Sequence, residues 1–345
     1  MWFSETVQDN IKIHHVILNF MPSWWHTNYG IEFGEKMVFS PEYRCDMHRE
    51  MRRLYYERFG RKTGIGEPNP GLWGVPPDWQ NAITAAFLGG EVNYPVNGYP
   101  ESHIQMSDGE IAAYALPDDL WAVFPYSELK KQTAWMNRKF NTDNLPFLSF
   151  RSIVNDAESI RGMSVLADFV DEEADYAQTV LDFAFKINRR QFETNDATSG
   201  HNRYITANCM AGLISPATYE DRILPYDRKM AEMVRSAGGE YGLHHCGNFD
   251  GYIPYYQQLN PLFMLDIGHT SDLKTALDAF PDILVSYIID NNLINHGTAA
   301  EIKAFVGDLL DKTQGDWHRI VFNVADMDIP IPDENLLALL EAVSL

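Results

Sequence analysis

Apolar and polar positions repeat most regularly in the C-terminal part of the chain. Arg203 to Cys209 is a short β-prone run. Ser215-Pro216 follows as an N-cap with proline at the first helical position, and Gly238-Gly239 gives that helix a stop. Gly242-Leu243-His244-His245-Cys246-Gly247-Asn248 reads as the end of a strand running into a turn. A helical segment spans about Tyr252 to Leu259. Leu262 to Ile267 predicts a strand, and Asp272 to Phe280 a helix. Ile283 to Ile289 is apolar almost throughout, as expected of a strand buried on both faces. Thr298-Ala299-Ala300-Glu301 matches a capping box and opens a helix to about Lys312. Ile320 to Val324 predicts a strand, and Asp333 caps a last helix over Leu336 to Val343.

The N-terminal part is less regular. Ile13 to Phe20 predicts a strand, and Trp24-Trp25-His26 a loop. Adjacent tryptophans there either plug a barrel or line a pocket for a flat substrate. Pro41 opens a helix to about Phe59, and Gly60 to Gly74 reads as a loop. Phe87 to Val92 reads as a turn into an extended segment. Helices are expected over Tyr126 to Phe140 and Asp175 to Phe192, and a strand at Phe147 to Phe150.

Five strand-then-helix units follow one another between residues 203 and 343. Repeated βα units imply parallel strands with right-handed crossovers. Extended to the N-terminal half, the count suits an α/β fold of the (β/α)8 TIM barrel type. No Gly-x-Gly-x-x-Gly follows any strand, which disfavours a doubly wound open sheet. No linker or composition break divides residues 1–345, so a single barrel domain with an N-terminal helical and aromatic extension is expected. With 345 residues, 45% of them hydrophobic, the chain can build such a core.

A net charge of -21 disfavours nucleic acid and anionic membrane surfaces as partners. The pairs Arg52-Arg53 and Arg189-Arg190 read as solvated helix faces. Cys45, Cys209 and Cys246 are too few and too irregular for a disulfide framework. No signal pattern opens the sequence and no stretch approaches about 20 uninterrupted apolar residues. A cytoplasmic protein is therefore expected.

In a barrel of this kind the chemistry sits at the C-terminal strand ends. Those ends read Asn208-Cys209, His244 to Cys246, Gly268-His269, Asp290-Asn291 and Ala325-Asp326. Alternation along a strand puts His244 and Cys246 on one face and His245 on the other. An imidazole and a thiol so placed are half of a zinc site, or else a buried cysteine beside a hydrogen-bonded histidine.

His244-His245-Cys246-Gly247-Asn248 resembles the H-x-C-G-N signature of the uroporphyrinogen decarboxylase superfamily. Leu213-Ile214-Ser215-Pro216 with Ile223-Leu224-Pro225-Tyr226 is similar to its "LISP…LPY" helix. Gly297-Thr298 with Glu301-Ile302, and Asp333-Glu334-Asn335-Leu336, resemble two later segments. Tyr29-Gly30 with Pro41-Glu42-Tyr43-Arg44 is a looser match. The resemblance covers residues 200–345 well and 1–200 weakly, and it implies a (β/α)8 barrel.

The family's decarboxylases carry an arginine-rich segment near the N-terminus that serves the substrate's propionates. The corresponding Trp24-Trp25-His26-Thr27-Asn28-Tyr29-Gly30 has no arginine, which argues against that substrate. The family's corrinoid methyltransferases hold zinc through H-x-C and a later cysteine. His244 and Cys246 match the first two ligands. The later cysteine is absent from Asn323-Val324-Ala325-Asp326-Met327-Asp328, so Asp326 is the expected third ligand, with Asp328 and Cys209 as rivals. A single-thiolate zinc suits an oxygen or nitrogen leaving group.

The resemblance thus implies zinc-dependent methyl transfer from a small methylated substrate to the Co(I) of a corrinoid (cobalamin) carried by a partner protein. With 17 Tyr, 19 Phe and 8 Trp, an aromatic methyl ether is one candidate donor. His269 is a candidate proton donor to the leaving group, and Trp24, Trp25, Tyr204 and Asn208 are candidate substrate contacts. The alternative is a metal-free decarboxylase or a ligand-binding barrel. A homodimer is left open.

Overall fold

The computed structural model describes residues 15–61, 66–148, 151–170, 176–199, 203–313, 316–328 and 331–343. Eight strands lie within them, taken in chain order. They are β1 (His15–Phe20), β2 (Glu91–Asn93), β3 (Glu101–His103), β4 (Arg203–Ala207), β5 (Glu240–His245), β6 (Leu262–Ile267), β7 (Leu284–Ile288) and β8 (Ile320–Met327). Six of them form one sheet in the order β1-β8-β7-β6-β5-β4, every neighbouring pair parallel. The first strand of the chain pairs with the last, which is the seam that closes a barrel wall. The strands of the five C-terminal βα units fall where the apolar periodicity puts them, within a few residues.

β2 and β3 form a separate antiparallel pair. On the far side of β4 the wall continues without a ladder among the described residues. Ser152 Oγ donates to the Ala207 carbonyl at 2.8 Å. The backbone of Leu148 is satisfied by a side chain: Asn195 accepts from its N–H at 2.8 Å and donates to its carbonyl at 2.9 Å. Leu148 is therefore not in a strand, contrary to the expectation for Phe147 to Phe150. Ser149 and Phe150 lie outside the described residues, as do Ile13 and His14 of the expected first strand.

Polar ties cross this side of the core. Buried Asp156 accepts from Thr84 and Asn188, each at 2.6 Å, and Asn188 accepts from the Tyr204 hydroxyl at 2.6 Å. Burial raises the Asp156 carboxyl above its ordinary range, against the pull of Arg151. Three helices, Ala82–Phe87, Ile153–Arg161 and Tyr176–Ser199, are thereby tied to β4.

Several local expectations change. Trp24-Trp25-His26 lies in a helix, Pro22–Tyr29, not a loop. Proline fits the first helical turn, where no N–H is needed, and Gly30 ends the helix in the left-handed region at φ 66°. The helix after Ser215 is interrupted by a wide turn over Tyr219–Ile223, just before Pro225 removes a backbone donor. The last helix begins at Asp333, but Asp333 does not cap it; its carboxylate pairs with Arg58 at 2.8 Å. Arg52 is not solvated: it is 4% exposed and stacks over Trp73. No helix among the described residues is long and apolar enough to cross a membrane.

Replacing Asn195 with Ala strips both partners from the Leu148 backbone. A loss of about 1–3 kcal/mol in urea unfolding is expected, with the β4-to-β8 core otherwise intact by circular dichroism.

Candidate metal centre

β4 and β5 run side by side in parallel register, with Ala207 opposite His244. Two residues further on, each strand delivers a cysteine to the C-terminal mouth. Cys209, His244 and Cys246 form the one His, Cys, Asp and Glu group among the described residues with metal-binding spacing, their ligand atoms within 4.8 Å of one another. His244 is buried, Cys209 half-buried and Cys246 exposed, so the group opens to solvent on one side.

Glycines make this proximity feasible. The turn after β5 and the turn after Cys209 touch at Gly212 and Gly247, where an added Cβ would stand 3.4–3.5 Å from the opposite glycine's Cα. At the end of β6, a Cβ on Gly268 would run into the Cys246 carbonyl oxygen. No side chain fits there without moving the cysteine.

Asp266 sits on β6 opposite His244, and its carboxylate is 2.5 Å from His244 Nδ1. It fixes the imidazole's orientation and leaves Nε2 as the ligand atom. Burial alone would lower the His244 pKa, but Asp266 and Cys209 outweigh it and raise it to about 10. Cys209 is drawn down to about 4, first by a hydrogen bond from Cys246, against burial and with help from His244 and Asn155. Cys246 retains the shared proton and is pushed up correspondingly. His245 points the other way. It is fully buried, its Nδ1 lies 2.8 Å from the Tyr256 hydroxyl, and burial holds it neutral with a pKa of about 4.

Two thiols and an imidazole backed by a carboxylate are a donor set that suits zinc. Tetrahedral zinc with such ligands needs donor atoms roughly 3.5–3.8 Å apart, within a small side-chain adjustment of the observed spacing. Three protein ligands with an open side match the catalytic rather than the closed structural type of zinc site.

Asp326, the expected third ligand, is not in this group; Cys209 is. The reason is β8's backbone. Leu18 pairs with Val324 but Phe20 with Met327, so Ala325 and Asp326 together face one residue of β1. Asp326 takes up the extra length at φ 54°. Its side chain is exposed at the end of β8, yet the loss of water around the carboxyl raises it above its ordinary range, against the pull of His244. Asp328 is also exposed at the rim.

The expected substrate contacts have packing roles. Tyr204 is fully buried, stacked on Tyr241 with ring centroids 5.5 Å apart. Asn208 is fully buried and donates to Asp227 at 2.8 Å. Side chains so enclosed offer substrate no surface, which revises the expectation for both. Trp24 and Trp25 are 2% and 4% exposed and pack with Phe20, Tyr29 and Tyr55. Neither presents an open face to solvent. His269 has an exposed side chain, and its carbonyl accepts from the Tyr287 hydroxyl at 2.8 Å.

Fold and donor set together define a parallel α/β barrel with a metal-type site at its C-terminal mouth. Residues 146–344 match the uroporphyrinogen decarboxylase family, and the chain belongs to that family. The chain is also similar in structure to a methyltransferase from Methanosarcina mazei. The TM-score is 0.64 at 15% sequence identity, over 99% of this chain and 94% of that one, a likeness of fold. No curated protein matches it.

Elemental analysis of the purified protein should find about one zinc per chain, lost in Cys209→Ala and in Cys246→Ser but retained in Asp326→Ala. Asp266→Asn should keep the fold and weaken zinc binding by about 10–100-fold, read by chelator competition.

Proposed function

We propose that this protein is a zinc-dependent methyltransferase that moves a methyl group between a heteroatom of a small molecule and the cobalt of a corrinoid held by a partner protein. The observation that carries the reading is the convergence of Cys209, His244 and Cys246 at the barrel mouth. Zinc held there would polarise the heteroatom that bears or receives the methyl group. The chain's own residues do the rest. With zinc bound, Cys209 and Cys246 would supply two thiolates and His244 a neutral nitrogen, while Asp266 holds the imidazole in register. The site lies at the end of parallel strands, where a second protein can approach from above.

Cys209 also bears on the heteroatom. The preference for an ether oxygen rests on a site with one thiolate. With two thiolates the metal is less Lewis-acidic, and sulfur becomes the favoured heteroatom. An O-methyl donor and a thiol are therefore both substrates to test, and the donor set favours the thiol.

Methyl transfer can be followed from the spectral change of free cobalamin as acceptor or donor, with 2-methoxyphenol and 2-mercaptoethanol as probes. Turnover should vanish on chelation and return with zinc. Metal-free protein that releases CO2 from a carboxylic acid, with no cobalamin chemistry, would establish the decarboxylase alternative instead.

A further inference from the structure

We infer that Asp266, Ser286 and Asn323, on the inward face of β6, β7 and β8, form a subsite for a hydrogen-bond donor. The small molecule would then carry a hydroxyl or an amine a few atoms from the heteroatom that meets the metal. The inference rests on the zinc-site reading above and adds the chemical class of the substrate's other end.

The strand pairings place the three residues together. Paired residues of parallel strands point to the same side of the sheet. One row runs from Ala207 through His244, Asp266 and Ser286 to Val321. The opposite face of β5 carries His245, which packs under the helical layer against Tyr252 and Tyr256. The row of His244 therefore looks into the barrel. The next inward row, two residues nearer the mouth, pairs Ile288 with Asn323 and Asn323 with Ile17. Gly268 follows Asp266 by two residues and puts no side chain into that row. The Cys246 end of the row is thus open toward Asn323.

The two faces of the sheet are packed differently. On the outer face Leu18, Val285 and Phe322 are buried. On the inner face Ile17, Ala207 and Ile288 are only half-buried. The inner face keeps accessible apolar surface beside the metal centre, enough for a short carbon chain to lie against.

Polar atoms without partners lie on this same lining. Asp266 is 2% exposed. One of its oxygens meets His244 Nδ1, and the other has no hydrogen-bond partner among the described residues. Asn323 is 6% exposed, and its side-chain oxygen is likewise unpartnered. Ser286 adds a buried hydroxyl next to Asp266 in the same row. Buried acceptors are costly to leave unpaired. Both orphaned atoms are acceptors, so the group that completes them must donate. A molecule with a methyl group in that place would enclose them without pairing them, which is how a polar site rejects an apolar analogue.

The test uses cobalt-substituted protein, whose visible spectrum changes when a thiol enters the metal's open position. The probes are 2-mercaptoethanol and 1-propanethiol, which share a shape and differ in a terminal hydroxyl or methyl. Wild type should bind the alcohol at least about tenfold more tightly. Asn323→Leu is similar in size and has no acceptor, so it should take up cobalt as before and lose or reverse that preference. Ser286→Ala is the milder change and should lose part of it. A wild type without the preference, or an unchanged preference in both variants, overturns the subsite and leaves the zinc site standing. Loss of cobalt from folded Asn323→Leu makes Asn323 part of the metal centre and also overturns the subsite. Wild type that takes up no cobalt overturns the zinc-site reading itself, and the subsite with it.

Discussion

The site depends on one constraint, the register between β4 and β5. Parallel neighbours lie about 4.8 Å apart, and Ala207 opposite His244 puts Cys209 and Cys246 at matching heights as the strands end. A shift of one residue would turn one cysteine to the other face. The side chains that hold this register are buried. Tyr204 stacks on Tyr241 across the two strands, and Asn208 ties the end of β4 to Asp227. Residues expected to touch substrate thus serve it indirectly, by fixing the strands that carry the ligands.

The electrostatics follow from the same placement. Two thiols and an imidazole in a half-buried mouth cannot all keep their ordinary protonation states. Without metal they share protons: Cys209 is drawn down, and Cys246 and His244 are pushed up. A divalent cation held there would resolve that competition by taking the place of the protons that Cys246 and His244 retain. Asp266 has a different task, since its contact with Nδ1 holds the imidazole in place beside the cysteines.

The C-terminal βα units were legible because their signals are local: apolar runs, glycine stops and the Thr298–Glu301 capping box, whose reciprocal hydrogen bonds are present. His244 and Cys246 were legible for the same reason, two residues apart on one strand. Cys209 was visible only as a rival to Asp326, because spacing along the chain does not reveal which strands are neighbours. The bulge that holds Asp326 at the rim is equally a product of pairing, between β8 and a strand some 300 residues earlier. Asp266 was missed, although an ionisable residue within the apolar run Leu262 to Ile267 is itself a signal. The N-terminal half resisted reading because its connections are long-range, as when Asn195 stands in for a neighbouring strand at Leu148.

The most direct test of the metal centre is the X-ray absorption fine structure of the zinc-bound protein at the zinc edge. Two cysteines from adjacent strands and one oriented histidine predict a first shell with two sulfurs at about 2.3 Å and nitrogen or oxygen at about 2.0–2.1 Å. A shell with one sulfur and additional oxygen would contradict the assignment of Cys209 and return the third position to a carboxylate.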